Sequence, residues 1–236
     1  MKFQNICILS IAALSAPAFA SDSLDNVRDL TQAEFGLLAK DFTAAASYKA
    51  VSPAESLGLT GFDIGVEMSA TSMEHGDVWK KAGADSASVY IPKVHVHKGL
   101  PFDIDVGASL SMVPGTDIKL MGAQIKYALV KGGVATPAVA IRAAATRLSG
   151  VDDLGFNSRS LELSVSKGFL NMTPYAGVGK VWGTLTPNFG GLVKESPSAS
   201  KVFAGLNLNF GLTNIAAEMD RTGGNQSVSV KLGFRL

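Results

Sequence analysis

The chain of 236 residues contains a single cysteine, and that cysteine, Cys7, falls in its first twenty residues. Beyond that stretch there is no thiol, which excludes disulfides, thiol catalysis and thiolate metal sites. Charge of one sign is also missing: 21 Lys and Arg stand against 20 Asp and Glu. A near-neutral balance gives no electrostatic basis for a nucleic-acid partner. Long hydrophobic runs are absent too. After residue 20 no segment has 18 consecutive apolar residues, the signature of a membrane-spanning helix. Yet charged residues make up only 17% of the chain, and its mean hydropathy is positive.

What is present begins with a leader. MKFQNICILSIAALSAPAFA carries Lys2, an apolar run from Ile6 to Leu14 and the small-residue signal Ala18-Phe19-Ala20. This order predicts a secretory signal peptide over 1–20, cleaved after Ala20. An exported, apolar chain without a spanning helix is either a soluble periplasmic protein or a closed barrel. The barrel is the only other structure that satisfies every backbone group in lipid.

Residues 21–60 carry an approximate 3.6-residue period in Leu24, Val27, Leu30, Glu34, Leu37 or Leu38, and Phe42. They predict a helix over roughly 23–40, capped by Asp22 or Ser23, with 41–50 extending it or forming a short strand. From Gly61 the period becomes two. Phe62, Ile64, Val66 and Met68 oppose Asp63, Gly65, Glu67 and Ser69; Phe102, Ile104, Val106, Ala108 and Leu110 oppose Asp103, Asp105, Gly107 and Ser109. Similar alternations recur at 90–97, 121–129, 139–143, 161–165, 202–210, 215–220 and 228–236, and 173–182 is strand-like without a clear choice of faces. About ten strands result, with twelve as the alternative. The joints at 98–101, 130–137, 167–172 and 211–213 are short. Those at 73–85, 149–155 and 183–200 are longer and polar, with 113–116 and 221–225 as short exceptions. Short turns at one end and long loops at the other are the pattern of outer-membrane barrels, whose short turns face the periplasm. An even strand count places the C-terminus at that end, where the N-terminus is also expected. Aromatics near both strand ends (Phe62, Phe102, Phe169, Tyr175, Phe210 and Phe234; Trp79, Tyr90, Phe156 and Trp182) predict two interfacial girdles.

The last stretch, SVSVKLGFRL, alternates to its final residue through Val228, Val230, Leu232, Phe234 and Leu236. In this it resembles the closing strand of bacterial outer-membrane β-barrel proteins, whose alternating, usually aromatic C-terminus is read by the barrel-insertion machinery. The departures are a final Leu236, with Lys231 where a glycine is common. The stretch SYKAVSPAESLGLTGFDIGVE likewise resembles the opening segment of a family of proteobacterial outer-membrane proteins with no established activity. The resemblance implies an all-β, up-and-down antiparallel transmembrane barrel over 61–236, behind an N-terminal helical or plug segment over 21–60. It also implies outer-membrane lipid and the insertion machinery as partners.

One cluster stands out chemically. In KVHVHKGLPFDIDV, a hairpin turning at 98–101 sets His97 opposite Asp103 and His95 opposite Asp105. Imidazoles and carboxylates on one face can bind a divalent metal or serve as an acid/base pair; in a narrow lumen they also simply neutralise one another. The second meaning is the expected one, with no metal and no cofactor. A barrel of about ten strands is filled by side chains, which argues against a general porin. The expected function is a non-enzymatic outer-membrane protein, structural or a narrow conduit for a small or hydrophobic solute. The alternatives are a surface adhesin acting through 73–85 and 183–200, and a barrel hydrolase using the His/Asp cluster.

Overall fold

The computed structural model describes residues 24, 26–112 and 118–236. The expected signal peptide and the caps at Asp22 or Ser23 lie outside them. Ten strands follow one another as β1 (Phe62–Ser72), β2 (Ser88–Gly99), β3 (Ile104–Met112), β4 (Lys119–Lys131), β5 (Ala138–Ser149), β6 (Leu154–Ser166), β7 (Met172–Pro187), β8 (Ser198–Phe210), β9 (Thr213–Thr222) and β10 (Asn225–Arg235). Each pairs antiparallel with its sequence neighbours, and β10 pairs with β1 to close the barrel. Ten is the expected count, and the alternation that predicted it sets the register, because a slip of one residue would turn every apolar side chain to the other face.

The closure runs to the chain's final residue. Leu236 N–H donates to Phe62 O at 2.9 Å, and Phe62 N–H donates to Leu236 O at 3.2 Å. An unpaired edge in lipid would cost several kcal/mol for each orphaned backbone group. The alternating terminus therefore completes the wall.

The N-terminal segment differs from its expectation. Its helix, α1, spans Gln32–Ala45 rather than 23–40, and a 3-10 turn occupies Val27–Asp29. The residue that starts α1 is Thr31. Its hydroxyl accepts from Glu34 N–H while the Glu34 carboxylate accepts from Thr31 N–H, a reciprocal capping box. The signal T-x-x-E lay in the sequence, eight residues beyond the caps first considered.

The ends are also placed differently. The described N-terminal residues sit at the long-loop end, not beside the C-terminus. Arg28 binds Asp153 in the β5–β6 connection, and Asn26 N–H donates to Ala82 O beyond α2 (Gly76–Lys81), the helix in the β1–β2 loop. From there α1 enters the mouth, and residues 46–60 run down the lumen to the short-turn end, where β1 begins. A local apolar core closes the mouth: Val27, Phe35, Leu38, Trp79, Phe156 and Leu185 are among its buried members. Phe42 stacks on Trp79 with centroids 5.8 Å apart. Trp79, Phe156 and Tyr175 are thus interior residues rather than girdle aromatics. Phe102, Phe169, Phe210 and Phe234 are exposed at the short-turn end, as expected.

Candidate functional site: the plugged lumen

Along each strand the inward positions are polar. Every Asp and Glu on the ten strands, namely Asp63, Glu67, Asp105, Glu162, Glu218 and Asp220, is buried in the lumen. A dry charge costs several kcal/mol unless it is paired, and among the described residues lysines and an arginine meet all of these acids but Glu218. Lys93 binds Glu67 at 2.7 Å and Lys126 binds Asp105 at 3.0 Å. Arg142 and Lys201 share Glu162, at 3.0 and 2.8 Å. Lys231 binds Asp63 at 2.8 Å with its side chain fully buried. On β7, whose faces the sequence left open, Thr173, Tyr175, Gly177, Gly179, Val181 and Gly183 face inward.

Residues 46–60 fill the space these groups surround. Ala46, Tyr48, Lys49, Ala50, Val51, Ser52 and Ala54 are all buried. An extended segment leaves its backbone acceptors unpaired, and in a dry lumen each needs a donor. The wall supplies them in sequence. Thr146 Oγ1 donates to Ala46 O at 2.8 Å, Lys201 Nζ to Tyr48 O at 3.4 Å and Lys93 Nζ to Lys49 O at 2.8 Å. Further down, Arg142 donates to Ser52 O and Oγ, and Lys126 Nζ to Pro53 O at 3.1 Å and Glu55 O at 2.6 Å. Asp105 accepts from Leu57 N–H and Ser56 Oγ–H at the lower end. Lys49 reaches the opposite wall and binds Asp220 at 3.3 Å. The same wall cations thus serve two ends, a wall carboxylate and a plug carbonyl.

Two glycines make room for this packing. A Cβ on Gly183 would overlap the Thr43 side chain of α1, and one on Gly122 would overlap the Tyr48 ring. A cavity of about 10 Å³ remains between Tyr48, Lys49, Lys93 and Thr146, room for about one water.

The histidine cluster assembles differently from the expected hairpin. His97 lies opposite Gly107, His95 opposite Ser109, and Asp105 opposite Gly99. The wider turn that produces this register holds Phe102 and Asp103 at φ of 63° and 60°, so Asp103 leaves the strand. Asp103 lies outside the lumen and binds Lys131 at 3.0 Å, while Asp105 is taken by Lys126. His95 instead meets Asp63 on β1 at 3.3 Å, and His97 meets the Tyr48 hydroxyl at 3.0 Å. Ligand atoms of Asp63, His95 and His97 lie within 4.8 Å of one another, a spacing compatible with a metal ion. However, the Lys231 ammonium already stands 2.8 Å from that carboxylate, where a cation would compete with it. The alternation placed both histidines on the correct face. Asp63 and Tyr48 escaped notice because one is remote in sequence and the other belongs to the plug.

The mouth has its own anchor. Asp41 on α1 is fully buried and accepts from His75 N–H at 2.9 Å and Trp79 Nε1–H at 3.2 Å, with His75 Nδ1 at 2.9 Å. Glu34 binds Lys81 of α2 at 2.7 Å. The Lys81 ammonium and the capping bonds from Thr31 hold the Glu34 carboxyl down at about 2.

Outward positions are the reverse of the lumen. Ile64, Val66, Val94, Val96, Ile125, Leu161, Leu163, Val178, Val202, Ile215, Val230 and Leu232 stand exposed around the wall. The closing strand contributes Val228, Val230, Leu232 and Phe234 to this surface, each about half exposed. A water-soluble barrel buries its apolar side chains and shows its charges. This one turns apolar side chains outward on every strand and buries every strand carboxylate, and its apolar exterior suits hydrocarbon. The chain folds as a closed β-barrel of the transmembrane type.

No protein-family model and no curated protein matches the barrel's sequence. Among solved structures, the translocator domain of the autotransporter NalP from Neisseria meningitidis is similar over 90% of this chain and 99% of its own, at 12% identity and a TM-score of 0.39. Neisserial surface protein A is similar over 75% of this chain and 95% of its own, at 11% identity and a TM-score of 0.32. OmpTdeltaL8, a loop-deletion mutant of an outer membrane protein of Vibrio cholerae, is similar over 62% of this chain, at 11% identity and a TM-score of 0.32. The barrel chain spans about half the length of that last protein, 54%. At these identities and scores the likeness adds nothing to what register and polarity establish.

Proposed function

We propose that the protein is a non-enzymatic outer-membrane barrel, exported with a cleaved leader, whose own N-terminal segment seals the lumen at rest. The observation that carries this reading is the ladder of wall donors on the plug carbonyls from Ala46 to Glu55. Passage of a small or hydrophobic solute would require those bonds to break together, so the structural role is favoured over the conduit. The outer loops expected to act as an adhesin are engaged with the plug: His75 and Trp79 hold Asp41, and Val193 and Glu195 hold Gln32. A hydrolase built on His95, His97, Asp103 and Asp105 lacks support, because those residues do not converge. Outer-membrane lipid and the insertion machinery, the latter reading β10, are the partners this role needs.

Planar-bilayer conductance tests the seal. The full chain should be silent. A variant lacking residues 24–57 should conduct, and combined Lys93→Ala and Lys126→Ala should give brief openings. Steady conductance from the full chain would overturn the seal. So would silence from a deletion variant that still shows the heat-dependent gel mobility of a folded barrel. Cell fractionation tests the location, and recovery in the soluble periplasm would reject it.

A further inference from the structure

The charged side chains that the strands turn outward are all positive, and four of them stand near the long-loop end of neighbouring strands. Lys119 on β4, Arg147 on β5, Arg159 on β6 and Lys180 on β7 project outward and are exposed. Among the described residues none of them has a carboxylate partner, whereas all strand carboxylates lie in the lumen. Other outward cations are engaged: Arg221 with Gly223 O, Lys98 with Leu59 O and Gly61 O, and Lys131 with the Asp103 carboxylate.

Register shows that these four cations form a row. Ala145, Arg159 and Trp182 are direct partners across β5, β6 and β7. Arg147 is therefore one diagonal step from Arg159, and Lys180 one diagonal step on the other side. Lys119 pairs with Ser149, one diagonal step from Arg147. Each diagonal step is roughly 7–8 Å, so the row is on the order of 20 Å long. It is also nearly level. The row of direct partners starts at Ala123, well inside β4, and climbs to Ser198, the first residue of β8. Each cation lies two residues further from the outer end than the one before it. With strands tilted by about 40°, that descent cancels most of the climb and leaves about 2 Å per strand. Trp182 sits between Arg159 and Lys180, with its ring 6.0 and 5.8 Å from their charges. An outward tryptophan of this kind marks a membrane interface.

We propose that this belt is a docking site for a lipid headgroup bearing more than one phosphate, the phosphorylated glycolipid of an outer leaflet. The proposal rests on the outer-membrane placement above. Unpaired cations on a lipid-facing wall are tolerated only near the interface, where the available anions are headgroups. Phosphate oxygens accept strong charge-assisted bonds from guanidinium and ammonium groups. A headgroup with one phosphate spans one or two of these cations. A row of four at one height fits phosphates set apart on a single larger headgroup.

The test uses the refolded full chain in neutral detergent, titrated with purified lipids and read by native mass spectrometry. Lipid A with two phosphates should bind at least tenfold tighter than dephosphorylated lipid A or phosphatidylglycerol, and binding should weaken with salt. Combined Arg147→Ser, Arg159→Ser and Lys180→Ser should lower its affinity at least tenfold, and Lys180→Ser alone by about threefold. Lys98→Ser, at the opposite end, should change nothing. Equal binding of phosphatidylglycerol, or unaltered lipid A binding by the single and triple variants, would overturn the proposal. Heat-dependent gel mobility checks the fold of each variant. Because the assay is done in micelles, its failure is distinct from a failure of the cellular placement.

Discussion

The two faces of the barrel wall use basic residues in opposite ways. Inside, Lys93, Lys126, Arg142, Lys201 and Lys231 each have a carboxylate within 3.0 Å. Outside, Lys119, Arg147, Arg159 and Lys180 have none among the described residues. The difference follows from solvent. A dry lumen supplies no counterion, so each cation must bring an acid with it. The interface supplies anions from the lipid, so acids there are unnecessary. The buried pairs are better understood as fixing where the plug lies than as a large net gain in stability. Such pairs roughly break even against apolar packing, but removing one partner is costly.

The largest effect should come from breaking a pair inside. Glu162→Gln strands both Arg142 and Lys201, and should lower the unfolding free energy from lipid bilayers by about 3–5 kcal/mol in a urea titration. A cost below about 1 kcal/mol would show that water reaches the lumen and would undo the contrast. Next comes the depth dependence of the outer face. Leu163→Arg, below the belt on β6, should cost about 2–4 kcal/mol, while Asn157→Arg, above it, should cost about 0–1 kcal/mol. Equal costs would mean that the belt does not mark the interface. Thr31→Ala removes one half of the capping box and should cost about 1 kcal/mol, read as faster amide exchange confined to α1. Removing the belt cations should barely alter stability, within about 1 kcal/mol in the same titration, although lipid binding falls.

The smallest effect is the pH response of the mouth. Glu34 is held down at about 2 by Lys81 and Thr31, below its ordinary 4.5. Its contribution is therefore complete above pH 4.5 and is lost as pH falls toward 2. Amide exchange in α1 should accelerate across that window beyond its intrinsic pH trend. Glu34→Gln should flatten the excess.

Much of the fold was legible because a barrel strand encodes its environment residue by residue. The alternation from Phe62 to Leu236 set strand number, closure and, outside β7, the faces, since lipid on one side and a lumen on the other impose a period of two. Other features were not legible. The turn at 100–103 takes Phe102 and Asp103 to positive φ, which no local pattern announces, and that shifted the partners of His95 and His97. Trp79, Phe156 and Tyr175 looked interfacial because an aromatic near a strand end is equally at home in the mouth core, as the first two are, or in the lumen, as Tyr175 is.

By itself, the sequence determined a closed wall with an apolar exterior and a charged interior, because hydropathy periodicity is local and each residue answers to its own surroundings. Only the tertiary structure decided that residues 46–60 thread the lumen from the loop end, that Glu162 serves two cations, and that Lys119, Arg147, Arg159 and Lys180 share one height. Those facts depend on strand tilt, cumulative register and contacts between residues far apart along the chain, and none is a property of any short stretch.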